Sequence, residues 1–294
     1  MKKYVSKFPS LVFAGVLLLG AAPALAQGTV VYDSIPSPTP PNVPSQGFQC
    51  CATAEIGNEV ILEADTPRSA RYATVLMSSW SLHSNYPNMP PAGYSHPITL
   101  NIYRDAASAA AHAPEKTVTQ SFVIPWRPEA DPTCPGGTAW RAADTLCYNG
   151  FAFTITFDLL SLNYDLPEQF IYGIAYNTNT WGYAPIGAPG PYESLNVGLN
   201  STPPVAVGTD VNPDGVYINY QHAPFYTDSG AGGVGTFRLD TGWTPYTPAV
   251  QFTTFALPTT TASCKNGAWR NLVRSDFTSF KNQGDCIQYV NTGK

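Results

Sequence analysis

Charge is scarce in this chain: Asp, Glu, Lys and Arg make up 12% of its 294 residues. Basic residues are scarcest from Gln27 to Thr261, where 7 stand against 18 acidic ones. Phosphate backbones are gripped by Lys and Arg, so this acidic stretch argues against nucleic acid as a partner. After the first 26 residues no run is apolar enough to cross a bilayer, which takes ~20 residues. No Cys-x-x-Cys or His-x-x-x-His spacing occurs, so the usual zinc patterns are missing. There is no Gly-x-Ser-x-Gly nucleophile elbow. The strand-helix alternation of nucleotide-binding folds is also missing, and no internal repeat is present.

What the chain has is turn formers and rings: 28 Pro, 24 Gly and 17 Tyr. Gly, Pro and Asn serve turns, while aromatic and β-branched residues suit pleated, half-buried surfaces. Ile98, Leu100 and Ile102 alternate with polar neighbours, as do Phe151, Phe153, Ile155 and Phe157. Tyr72 to Trp80 and Val250 to Leu257 also read as strands, and Phe170 to Tyr176, apolar on both faces, reads as a central one. Turn clusters separate these runs. The expected fold is all-β, an antiparallel sandwich or jelly roll with long loops. Ser34 to Ser45, with five prolines, is expected to lie extended along the sandwich. Ala106 to Ala113 is expected to form a short helix.

Three pieces are expected. Residues 1–26 read as a secretory signal: Lys2, Lys3 and Lys7, an apolar run from Leu11 to Ala22, then Ala24-Leu25-Ala26. Residues 27–261 form the sandwich. Residues 262–294 form a tail with 5 basic and 2 acidic residues, in which Asn282 caps a short helix carrying Ile287, Tyr289 and Val290. Six cysteines suit an oxidising compartment. Proximity makes Cys134–Cys147 and Cys264–Cys286 the natural pairs, although six cysteines allow 15 connectivities. Cys50 and Cys51 are neighbours that either bond through a strained ring or stay free thiols.

The tail sequence Cys264-Lys-Asn-Gly-Ala-Trp-Arg, followed by Phe280-Lys-Asn-Gln-Gly-Asp-Cys-Ile-Gln-Tyr-Val, resembles a short C-terminal motif of many exported bacterial proteins. The body, with Val31-Tyr-Asp-Ser-Ile-Pro, Ser78-Ser-Trp and Ile171-Tyr-Gly-Ile-Ala-Tyr-Asn-Thr, is similar to a group of secreted β-sandwich proteins of uncharacterised function. The resemblance implies a fold type and a location outside the cell, and it brings no catalytic residues. Some relatives carry surface-sorting tails, and this chain departs from them by lacking a C-terminal apolar helix.

Candidate sites divide between chemistry and plain structure. Asp210-Val-Asn-Pro-Asp-Gly matches the first half of a calcium loop, with Asp210, Asn212 and Asp214 as oxygen ligands. Gln221 replaces the glutamate of the twelfth position, and Asp and Asn also make ordinary turns. Gly230-Ala-Gly-Gly-Val-Gly reads as a hairpin loop, because strand-like residues follow it. His83, His96, His112 and His222 are scattered and read as loop or surface residues. Glu55, Glu59 and Glu63 share one face if they share a strand, and read as a solvated face. Trp80, Trp181, Tyr183 and Trp243 sit in or beside loops, where exposed rings stack on sugars. The leading functional expectation is a secreted or cell-surface-associated structural or binding protein without catalysis. A carbohydrate-binding module using these aromatics is the alternative, and a jelly-roll hydrolase of polysaccharide the third. The expected partner is a cell-envelope polymer or glycan.

Overall fold

Alternating residues become strands in the computed structural model, which describes residues 28–48, 51, 53–176, 190–202, 205–220, 236–276 and 278–294. In chain order the strands are β1 (Thr29–Asp33), β2 (Ser45–Gly47), β3 (Thr53–Ile61), β4 (Ser69–Ser79), β5 (Tyr94–Tyr103), β6 (Lys116–Ile124), β7 (Trp140–Arg141) and β8 (Cys147–Tyr148). They continue as β9 (Phe151–Asp158), β10 (Gln169–Ala175), β11 (Leu195–Asn200), β12 (Thr209–Asp210), β13 (Gly215–Tyr220), β14 (Arg238–Thr241), β15 (Thr247–Pro248) and β16 (Val250–Phe255). Among the described residues two α-helices, α1 (Ala106–Ala110) and α2 (Gln283–Thr292), complete the frame.

The strands form two antiparallel sheets and a small β7-β8 hairpin. In the first sheet β4 is the axis. It pairs with β9 along one edge, and shares the other between β16 and β11. β1 extends this sheet beyond β16, and β2 extends it beyond β11. The second sheet runs β14-β13-β3-β10-β5-β6, with β12 also on β3. The antiparallel sandwich expected from the alternation is therefore present.

The core lies between the sheets. Val75, Met77, Phe157, Val197 and Phe252 of the first sheet meet Ile56, Leu100, Phe170, Ile174 and Ile218 of the second, all buried. At one open side Gln120 of β6 bridges to β9: its Nε2 donates to Asp158 O at 2.7 Å, and Asp158 N donates to Oε1 at 3.1 Å. A side-chain amide thus stands in for a backbone ladder between two edge strands. The second sheet is covered on its outer face too. There Tyr103, Ile171, Tyr217 and Phe237 pack with Ala109 of α1. This is why β10 reads apolar on both faces.

The proline-rich segment lies along the first sheet, as expected. Ala152 N donates to Pro41 O, Leu199 N donates to Pro44 O, and Val43 packs with Leu76 and Ala249. Cys134–Cys147 closes the long loop before β9, worth about 3 kcal/mol for a loop of this size. Inside that loop Trp140 is buried and donates from Nε1 to Gly150 O at 2.8 Å. In the tail, Cys264–Cys286 sits in a small core with Leu272 and Phe280. The Asn282 side chain accepts from Asp285 N, capping α2. Val273 N donates to Ala256 O, which ties the tail to the end of the sandwich.

Three expectations are corrected. His96 is not a loop or surface residue: β5 begins at Tyr94, and the parity of the strand puts His96 in the interior at 0% exposure. Glu55 is not solvated, because the sheet face that carries it is covered. Cys51 is disulfide-bonded, with a partner outside the described residues, so the free-thiol alternative fails for it.

Candidate functional site

Concave surface and buried polar groups locate the places where this sandwich can meet a ligand. An open trough of about 720 Å³ lies beside β2. Asn42, Ser45, Gln46, Trp80, Ser194 and Asn196 line it. β4 ends at Ser79, and the next residue, Trp80, is pinned at both ends. Its backbone N donates to Ser194 O at 3.0 Å, and its Nε1 donates to Ser78 Oγ at 3.1 Å. Trp80 nevertheless stays 42% exposed, so a flat ring is held at the wall. Asn196 Nδ2 donates to Ser45 Oγ, which fixes the floor. Asn42 Oδ1 is buried and has no hydrogen-bond partner among the described residues. The trough therefore offers one aromatic platform and several amides.

A second polar centre lies on the outer face of the second sheet. Glu55 is fully buried there. Oε1 accepts from Asn101 Nδ2 at 2.8 Å and from the Tyr103 hydroxyl at 3.0 Å. Burial pushes the Glu55 carboxyl up to about 8, against the smaller opposing effect of these hydrogen bonds. Burial, and then the Glu55 charge, push the Tyr103 phenol up as well. Asn219 stands directly opposite Glu55 on β13, is fully buried, and has no partner for either amide atom among the described residues. Near neutral pH this is a protonated carboxyl beside an open amide. It can donate a proton or a hydrogen bond, but among the described residues the glycosidase pairing of two acids is not found. Glu59, on the same face, is about 13 Å further along the strand, and its carboxylate takes Gln169 and Asn212. Glu63 lies beyond the end of β3 and is exposed.

The predicted site residues are distributed unevenly. Trp80 is in the trough. Trp243 is elsewhere, half-buried against the core, with Nε1 donating to Asp240 Oδ2 at 3.0 Å. Trp181, Tyr183, His222, Gln221 and the 230–235 glycine run lie outside the described residues. Asp210, Asn212 and Asp214 form a turn whose side chains are occupied separately. Asp210 Oδ1 accepts from Asn58 and from Asn212 N, Asn212 Nδ2 donates to Glu59, and Asp214 Oδ1 accepts from Thr244. Among the described residues no group of three or more His, Cys, Asp or Glu is arranged to hold a metal ion, so the geometry lends the calcium reading no support. Asn42, Gln46 and Asn196 escaped the sequence reading, as did the Glu55, Asn101, Tyr103 and Asn219 cluster. For the cluster, the available signal was three polar residues on strand faces that carry apolar residues in neighbouring strands.

The chain matches no known protein family, no curated protein and no solved structure. Among the described residues no helix is long and apolar enough to cross a membrane.

Proposed function

We propose that this is an exported, surface-associated, non-catalytic binding protein that holds a glycan of the cell envelope or its surroundings in the trough beside Trp80. The exposed Trp80 next to a row of amides carries the reading. A sugar's C–H face stacks on an indole, while its hydroxyls need donors and acceptors at fixed positions. An open trough of this volume suits a chain better than a single ring. The disulfides agree with an oxidising exterior. Glu55, which faces amides and a phenol rather than a second acid, fits a binding scaffold better than a hydrolase.

Polysaccharide pull-downs and a glycan array test this directly. Trp80→Ala is expected to weaken binding by about 2 kcal/mol, roughly thirtyfold in Kd, and Trp80→Phe to lose much less. Binding unchanged in Trp80→Ala, or an array without any signal, would sink the proposal.

The tail supplies the attachment. Lys265, Arg270, Lys281 and Lys294 are exposed and form no ion pair among the described residues. A cationic tail on an acidic body is drawn to an anionic wall polymer, an attraction that salt screens. Lys265→Glu with Lys281→Glu is expected to shift the protein from the cell fraction to the medium, as a high-salt wash does for the wild type. An unchanged cell-bound fraction would remove the tail from this role.

A further inference from the structure

A separate hollow of the sandwich lies at the opposite end of β11 from the trough. It is a cavity of about 270 Å³, close to the ~300 Å³ lower bound of small-molecule pockets. Val205, Pro213 and Pro245 give it apolar walls, and Asn200, Asp210 and Thr247 give it polar ones. Pro213 and Pro245 are exposed, so the cavity opens to solvent between them. Asn200 and Thr247 are buried.

Asp210 is built into this wall. Asn58, fully buried between the sheets, donates from Nδ2 to Asp210 Oδ1 at 2.9 Å and to Thr247 Oγ1 at 2.8 Å. Asn212 N donates to the same Oδ1 at 3.0 Å. Both of these bonds to Asp210 fall on Oδ1, and the Thr247 hydroxyl also hydrogen-bonds the carboxylate. Among the described residues no Lys, Arg or His forms an ion pair with the carboxylate. The nearby charges have the same sign: Glu59 holds Asn212, and Glu63 lies 3.4 Å from Gly208 N. Burial accordingly pushes the Asp210 carboxyl up. A half-buried carboxylate without a counter-ion, at the wall of a hollow with proline sides, lacks a cation.

We propose that this cavity binds a small ligand bearing a protonated amine, with the ammonium group against the Asp210 carboxylate and its compact body between Val205, Pro213 and Pro245. The site is independent of the trough at Trp80. The acidic surroundings favour a cation over a neutral ligand of the same shape. An amino sugar has the required size and charge, and N-acetylation removes that charge with little change to the ring.

Calorimetric titration of the full chain with D-glucosamine, N-acetyl-D-glucosamine and D-glucose tests this. D-glucosamine is expected to bind with a Kd of about 1 mM, and the two neutral sugars at least tenfold more weakly. Asp210→Asn keeps an acceptor for Asn58 and removes the charge, and is expected to lose about tenfold in affinity. Val205→Trp fills the cavity with the charge intact and is expected to abolish binding. Trp80→Ala leaves D-glucosamine binding unchanged and so separates this site from the trough. Should Asp210→Asn be poorly folded, Val205→Trp and the sugar series still decide. No binding of D-glucosamine, equal binding of its N-acetyl form, or full binding by Val205→Trp overturns the site.

Discussion

Unfolding by urea at a series of pH values is expected to show a stability plateau between pH 4.5 and 6.5, with losses on both sides that two buried groups set. Glu55 causes the alkaline loss. Its carboxyl rises on folding from 4.5 to about 8 because burial disfavours the charge. Between those values the folded chain keeps a proton that the unfolded chain has released, so stability falls as pH rises. The slope is about 1.4 kcal/mol per pH unit, or about 5 kcal/mol across the whole shift. His96 acts in the other direction. Burial lowers it from 6.5 to about 3. Between those values the unfolded chain binds a proton that the folded chain refuses, so stability falls as pH falls. From pH 4.5 to 6.5 the two slopes cancel.

Each substitution should therefore uncover the other limb. Glu55→Gln leaves a curve that climbs by about 5 kcal/mol from pH 3 to 6.5 and is flat above. His96→Gln leaves one that falls by a similar amount from pH 4.5 to 8. Hydrogen bonds from Arg104 to Glu115 and from Lys281 N to Asp285 hold those carboxyls low, and their loss in acid steepens the acid limb. A Glu55→Gln profile that still declines above pH 6.5 in parallel with the wild type would show that Glu55 is charged and solvated in the native state.

The strands were legible because their signal is local. Ile98 to Ile102 and Phe151 to Phe157 show period two within a few residues, and both became strands facing the core. The helix cap at Asn282 is local as well. Trp80 was legible as a ring at a strand end. Glu55 was not, because its partners Asn101 and Tyr103 lie 46 and 48 residues away, and only the pairing of β3, β10 and β5 brings them together. A polar residue on an outward face reads as solvated until something is known to cover that face. Asp210 was misleading for the same reason. Its spacing to Asn212 and Asp214 suggested a cation loop, whereas its orientation is set by Asn58, 152 residues earlier. The trough combines the two cases: the platform was readable, and the amides around it depend on β2 pairing with β11.

The position of Glu55 also rests on what is missing beneath it. Gly57 and Gly173 face each other across β3 and β10 at the centre of the sheet. A methyl group on Gly57 would lie 1.7 Å from Tyr172 O, which is backbone in a fully paired strand and has nowhere to go. Gly57→Ala is therefore expected to cost more than about 4 kcal/mol and to lower Tm by about 10 °C, or to prevent folded protein from accumulating. A methyl group on Gly173 would instead lie 2.0 Å from Glu55 Oε1, the end of a flexible side chain. Gly173→Ala is expected to push that carboxyl off Asn101 and Tyr103 at a cost of about 3 kcal/mol. Because the obstacle is Glu55 itself, Glu55→Ala should relieve Gly173→Ala, with the double variant losing about 1–3 kcal/mol less than the sum of the single ones. It should not relieve Gly57→Ala, whose obstacle is main chain. Strictly additive costs at Gly173 would mean that the methyl group finds room without displacing the carboxyl, and a bare glycine floor would then not be what holds Glu55 in place.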